Sequence, residues 1–71
     1  MATTELSQCV KELRKEYNLT QEELALKSGV GLRFVREVEH GKPTVRMDKV
    51  NQVLRLFNMK LGVMRMERSS V

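Results

Sequence analysis

Leu32, Arg33, Arg36 and Glu37, followed closely by Lys42, Arg46 and Lys49, are the side chains of this sequence best suited to recognising a ligand. The chemistry they offer is charge pairing and hydrogen bonding: arginine presents a planar fork of donors, glutamate a pair of acceptors, lysine a mobile point charge. Catalysis finds no comparable set. Glu22 and Glu23 are the closest carboxylates, but as helix neighbours they point apart. His40 is the single histidine, without a nucleophile or second ligand near it, and is expected at a helix end or surface. Cys9 is the single cysteine, so no internal disulfide is possible, and a zinc site has no ligand cluster to draw on. No loop cradles phosphate in the manner of a nucleotide-binding site. The chain is therefore expected to be no enzyme, with no catalytic residue, cofactor, metal or small-molecule substrate.

The elements that must position these side chains lie in residues 20–41, TQEELALKSGVGLRFVREVEHG. Thr20 is a natural N-cap, and Glu23 three residues on completes a capping box, so a helix begins there. Gly29 can adopt the left-handed conformation that ends one helix and redirects the chain, and Ala25 is small enough for a second helix to cross closely. Leu24, Val30, Val35 and Val38 form the apolar seam. Leu32, Arg33, Arg36 and Glu37, with Phe34 beside them, remain on an outer face that needs a partner or water. Six positions agree with a helix-turn-helix that reads a duplex; two amphipathic helices in a bundle that binds no nucleic acid are the other reading of the same spacing.

Around this pair, ELSQCVKELRKEY at 5–17 carries Leu6, Cys9, Val10, Leu13 and Tyr17 at helical spacing, with Cys9 as a small buried hydrophobe and Asn18 as a left-handed stop. Arg14 stands one position off that stripe, where it can reach a carboxylate on another helix, Glu39 being the candidate. Gly41 and Pro43 break the periodicity and open a loop. Lys42, Arg46 and Lys49 surround it, positioned either for phosphates flanking a groove or simply for solvent. Residues 47–57 place Met47, Val50, Val53, Leu54 and Phe57 on one face of a further helix, with Asp48 favourable in its first turn. The period then changes to two: Met59, Leu61 and Val63 alternate with Lys60 and Gly62, as in a strand. A lone strand cannot satisfy its backbone, so its mate is expected to be the same strand of a second copy, antiparallel across a two-fold axis; a frayed apolar tail is the plainer alternative.

The expected fold class is thus mainly α: a four-helix DNA-binding domain at 1–58 (helices about 5–17, 21–28, 32–39 and 47–57), a dimerisation strand at 59–66 and a flexible tail at 67–71. A chain of 71 residues suits one domain. So small a domain hides only about 60% of its unfolded surface, which makes association with a second copy favourable. The net charge of +4 and pI of about 9.6 suit a polyanionic partner. Neither a signal peptide nor an apolar run long enough to span a membrane is seen, so a cytoplasmic location without membrane contact is expected.

LTQEELA, SGV and FVREVEHG, then a Pro-containing loop and an amphipathic helix, resemble the Xre or phage-repressor-like helix-turn-helix proteins, whose fold is the lambda-repressor-like four-helix domain, over roughly residues 5–59. The tail MKLGVMRM resembles that of the HipB-type antitoxins, whose C-terminal strands pair between subunits. This resemblance implies a homodimeric, nucleoid-associated prokaryotic repressor of its own toxin–antitoxin operon, binding double-stranded DNA at a pseudo-palindromic operator and a HipA-type serine/threonine kinase toxin. A stand-alone phage-type regulator without a toxin, or a protein whose main task is to neutralise one, are the alternatives. Residue by residue, it implies that Gln21 donates to a phosphate and that Gly31 is the N-cap of the reading helix, where relatives often carry a side chain that touches the backbone. Leu32, Arg33 and Glu37 then face the bases: Leu32 toward a thymine methyl, Arg33 toward guanine O6 and N7, Glu37 toward a cytosine amine. Arg36 is better placed for phosphate, and Arg14 with Glu39 matches the family's semi-buried ion pair.

Overall fold

Thr4 and Thr20 start their helices by the same device. In the computed structural model, which describes residues 4–66, the Thr4 hydroxyl accepts from the Ser7 N–H at 3.0 Å while the Ser7 hydroxyl accepts from the Thr4 N–H at 2.9 Å. The Thr20 hydroxyl likewise accepts from the Glu23 N–H at 3.0 Å, and the Glu23 carboxylate returns the bond to the Thr20 N–H at 2.8 Å. Two orphan N–H groups are satisfied at each start. The helices are α1 (Glu5–Glu16), α2 (Gln21–Ser28), α3 (Leu32–Glu39) and α4 (Met47–Arg55). The Thr4–Ser7 box was not anticipated, because a serine at the third position is a weaker sign than a glutamate.

Asparagine ends the outer two helical segments. Asn18 (φ 56°) and Asn58 (φ 60°) both take the left-handed region, and the N–H that follows turns back, Leu19 to the Arg14 carbonyl at 2.9 Å and Met59 to the Leu54 carbonyl at 3.0 Å. Both helices are slightly shorter than the periodicity suggests: α1 stops at Glu16, and Leu56, Phe57 and Asn58 form a turn after α4.

Each helix contributes to one core. Val10 comes from α1, Leu24 and Ala25 from α2, Val35 and Val38 from α3, and Val50, Val53 and Leu54 from α4, with Phe57 closing the end. Each fully buried aliphatic side chain contributes roughly 1.5–3 kcal/mol. Ala25 is buried in that core at 5% exposure. Ser7 is buried among these apolar groups, but its hydroxyl also donates to the Thr4 carbonyl at 2.9 Å, so no polar atom is stranded.

Three residues read as part of apolar faces lie elsewhere. Met47 is 70% exposed, because the first turn of α4 projects past the edge of the core. Tyr17 is mostly exposed and packs one side of its ring at 59° to Phe57, with centroids 5.0 Å apart. Cys9 is half-buried rather than enclosed. Residues 59–66 form no strand within the single chain. Leu61 turns toward the core, its N–H donating to the Asn51 side-chain oxygen at 2.7 Å, whereas Val63, Met64 and Met66 are exposed. Residues 67–71, where a flexible tail is expected, lie outside the described residues. No helix among the described residues is long and apolar enough to cross a membrane.

Candidate nucleic-acid interface

The turn between α2 and α3 decides where the second helix points. Gly29 has φ +81° and its N–H donates to the Ala25 carbonyl at 2.9 Å; the Val30 N–H shares that carbonyl at 3.1 Å. Glycine takes that conformation without the strain that an L side chain incurs at positive φ. A second constraint comes from across the core: the Gln52 side-chain amide, on α4, donates to the Ser28 carbonyl at 2.9 Å and the Gly29 carbonyl at 3.1 Å. A Cβ on Gly29 would stand 2.9 Å from that amide nitrogen. Gln52 thus fastens the last carbonyls of α2 to α4, and the entry direction of α3 is fixed by both its neighbours.

The other anchor of α3 is at its far end. The Glu39 side chain is only 1% exposed and accepts from Arg14 Nε at 2.7 Å, Arg14 Nη2 at 3.1 Å and Gln21 Nε2 at 3.1 Å. Arg14 uses its remaining Nη1 on the Leu19 carbonyl at 3.0 Å. The three helices α1, α2 and α3 are therefore tied through a single carboxylate. Gln21, read as a phosphate donor, lies half-buried with one amide N–H engaged by Glu39; its second N–H and its carbonyl oxygen are the groups left for anything outside.

On the outer face of α3 the side chains differ in freedom. Arg33 is 92% exposed and Arg36 is also exposed, with no ion pair to Arg36 among the described residues. Gly31 caps α3 with no side-chain hydrogen bond, so the N–H groups of its first turn face outward without a side-chain acceptor. Leu32 is half-buried against the core and only partly available to the outer face. Glu37 is not the open acceptor the sequence suggests: its Oε2 lies 3.2 Å from Lys42 Nζ and 3.5 Å from Arg33 Nε. Arg46 Nη2 and Nε meet the Asp48 carboxylate at 2.7 and 3.1 Å, and that bond, more than any other influence, holds the Asp48 carboxyl below its ordinary value.

These groups form one surface. Arg33, Glu37, Lys42, Arg46 and Lys49 border a shallow groove with Phe34 and Val45 in it, and Arg36, His40, Gly41 and Pro43 border its neighbour on the other side of Arg33. The left-handed Gly41 (φ 79°) and the bond from the Lys42 N–H to the Glu37 carbonyl at 3.1 Å bring Lys42 back alongside α3. The cations surrounding the loop and the exposed face of α3 are thus contiguous, as phosphate and base-edge contacts on one duplex require. Asn51 and Gln52, which hold the tail and the turn, were not singled out by sequence: they fall beside the apolar stripe of α4, and their acceptor and donor partners are backbone groups far along the chain.

A helix-turn-helix family model matches residues 10–63. The chain is 47% identical over 55 residues, 78% of its length, to a protein of Sinorhizobium fredii named as the HTH-type transcriptional regulator y4mF, covering 72% of that protein. It is 36% identical over 52 residues, 73% of either chain, to an HTH-type transcriptional regulator of Archaeoglobus fulgidus. With α2, the Gly29 turn and the outward arginines of α3 inside the matched span, the chain belongs to the Xre-type helix-turn-helix family of DNA-binding transcriptional regulators.

Proposed function

We propose that the chain is a sequence-specific repressor that works as a homodimer, setting the α3 helices of two copies into successive major grooves about 34 Å apart on a pseudo-palindromic operator. The observation that carries this reading is the exposure of Arg33 and Arg36 on the face of α3 opposite the buried Val35 and Val38. Arg33 reads a guanine, Leu32 lends its exposed edge to a thymine methyl, and Glu37 accepts from a cytosine amine. Gln21, Arg36, Lys42, Arg46 and the backbone at Gly31 meet phosphates. Repression follows from occlusion of the promoter.

The helices through residue 58 form the DNA-binding unit and residues 59–66 the dimerisation segment, where the exposed Met59 and Val63 flank the anchored Leu61. Pairing this segment with its copy supplies the backbone partners it lacks alone and covers apolar surface that a small domain gains by covering. The likeness of the tail to HipB-type antitoxins supports a place in a HipBA-like operon, with autoregulation and a HipA-type kinase toxin as protein partner in the prokaryotic cytoplasm. Fluorescence anisotropy with a duplex selected from a random pool tests the DNA reading: binding that survives heparin competition supports it, and equal loss from selected and scrambled duplexes overturns it. Co-purification with a kinase of that type from cells expressing both tests the antitoxin assignment, which a free kinase overturns.

A further inference from the structure

The Glu37 carboxylate lies between two cations that the repressor reading assigns to DNA. One oxygen, Oε2, meets both Lys42 Nζ at 3.2 Å and Arg33 Nε at 3.5 Å, and it does so in the groove between the reading helix and the loop that follows it. Its side chain is 29% exposed, against 92% for Arg33, so the carboxylate lies low in the groove while the arginine stands above it. The other charged groups bordering this groove are Arg46, which is committed to Asp48 at 2.7 Å, and Lys49, which is half-buried.

We propose, building on the repressor reading above, that Glu37 determines specificity chiefly by opposition: it holds Lys42 back from DNA and releases it at a favourable cost only where a base edge offers the carboxylate a donor. For Lys42 to reach a phosphate its ammonium must leave Glu37, and the carboxylate then faces a wall of phosphates with its cation gone. A cytosine or adenine amine at that position replaces the lost donor. A guanine or thymine edge presents acceptors, so the anion stays unpaired and partly dehydrated, which is strongly unfavourable. Discrimination arises from this repulsive element as much as from any attraction. Non-specific binding, which depends on cations meeting phosphates wherever they occur, is suppressed on every sequence.

The test uses the full chain carrying Glu37→Gln, with Glu12→Gln on the far helix α1 as a control of equal charge change, and anisotropy on a duplex selected by the wild type and on its scrambled counterpart across a salt series. The readout is the ratio of affinities for the two duplexes, which Glu37→Gln should lower, because the freed Lys42 gains a phosphate contact on any sequence while the charged acceptor for the base amine is lost. Binding to the scrambled duplex should tighten about tenfold, with a salt slope steeper by up to about one. Adding Lys42→Ala to Glu37→Gln should abolish most of that gain, because the liberated ammonium is what produces it. If the wild type selects a duplex but Glu37→Gln discriminates as well as it does, or if Glu12→Gln gives the same gain, this inference is wrong while the repressor reading stands. A wild type that prefers no duplex overturns both.

Discussion

Arg14 and Glu39 meet through two hydrogen bonds, at 2.7 and 3.1 Å, across 25 residues of chain, and the Glu39 oxygen that takes the longer bond also takes the Gln21 amide. The pair is expensive to bury but more expensive to break. Glu39→Ala leaves a guanidinium and an amide facing a vacated pocket and should destabilise the fold by about 3–5 kcal/mol. The double variant Arg14→Met/Glu39→Leu should recover part of that loss, since neither apolar group needs a partner, while the Leu19 carbonyl and the Gln21 amide still lose theirs. Urea unfolding monitored by helical ellipticity checks both, and a double variant as unstable as the sum of its parts contradicts the account.

Gly29 and Gln52 couple the turn to the fourth helix. Gly29→Ala places a side chain at φ +81° and 2.9 Å from the Gln52 amide nitrogen, so it incurs backbone strain and displaces two hydrogen bonds. The expected loss is about 2–4 kcal/mol. Gln52→Ala removes the collision, so the two substitutions together should cost less than their sum. Strict additivity in denaturant titrations would count against the coupling.

Val63 is fully exposed in the single chain, and its replacement tests the tail independently of the fold. Val63→Asp should leave thermal unfolding of the helices unaltered at low protein concentration while shifting sedimentation equilibrium from dimer toward monomer. A variant that stays dimeric removes the tail from the interface.

Acid should weaken the start of α2. The Thr20 N–H, and then its hydroxyl, hold the Glu23 carboxyl below its ordinary value of 4.5. A carboxyl whose folded value is depressed contributes stability that is present above 4.5 and lost as the pH falls through the lower folded value. Carbon-detected NMR titration should therefore place the Glu23 midpoint below 4.5, and Glu23→Ala should flatten the acid limb of stability in that range. A midpoint at or above 4.5 contradicts the capping role.

Much of this arrangement is legible in the residues because its signals are local. Thr20 with Glu23, Gly29, and the seam from Leu24 to Val38 each act within a turn of chain, and they define α2, the turn and α3 without reference to anything distant. Arg14 and Glu39 were paired from the sequence through their places relative to the apolar stripes, aided by the likeness to a known family. What escaped is long-range or depends on the edge of the core. Gln52 acts on carbonyls that exist as acceptors only once Gly29 has turned. Met47 continues an apolar spacing past the point where there is anything to pack against. Glu37 reads as a free acceptor until Gly41 folds Lys42 back onto it.

The central claim, that the outer face of α3 lies in the major groove and reads a guanine through Arg33, is tested most directly by methylation interference on a selected duplex with wild type and Arg33→Ala. Methyl groups at guanine N7 should block the wild type at two clusters about 10 base pairs apart, and Arg33→Ala should lose sensitivity at one guanine per half-site along with about 1–3 kcal/mol of binding. Interference confined to adenine N3 in the minor groove, or an unchanged pattern with Arg33→Ala, would contradict it.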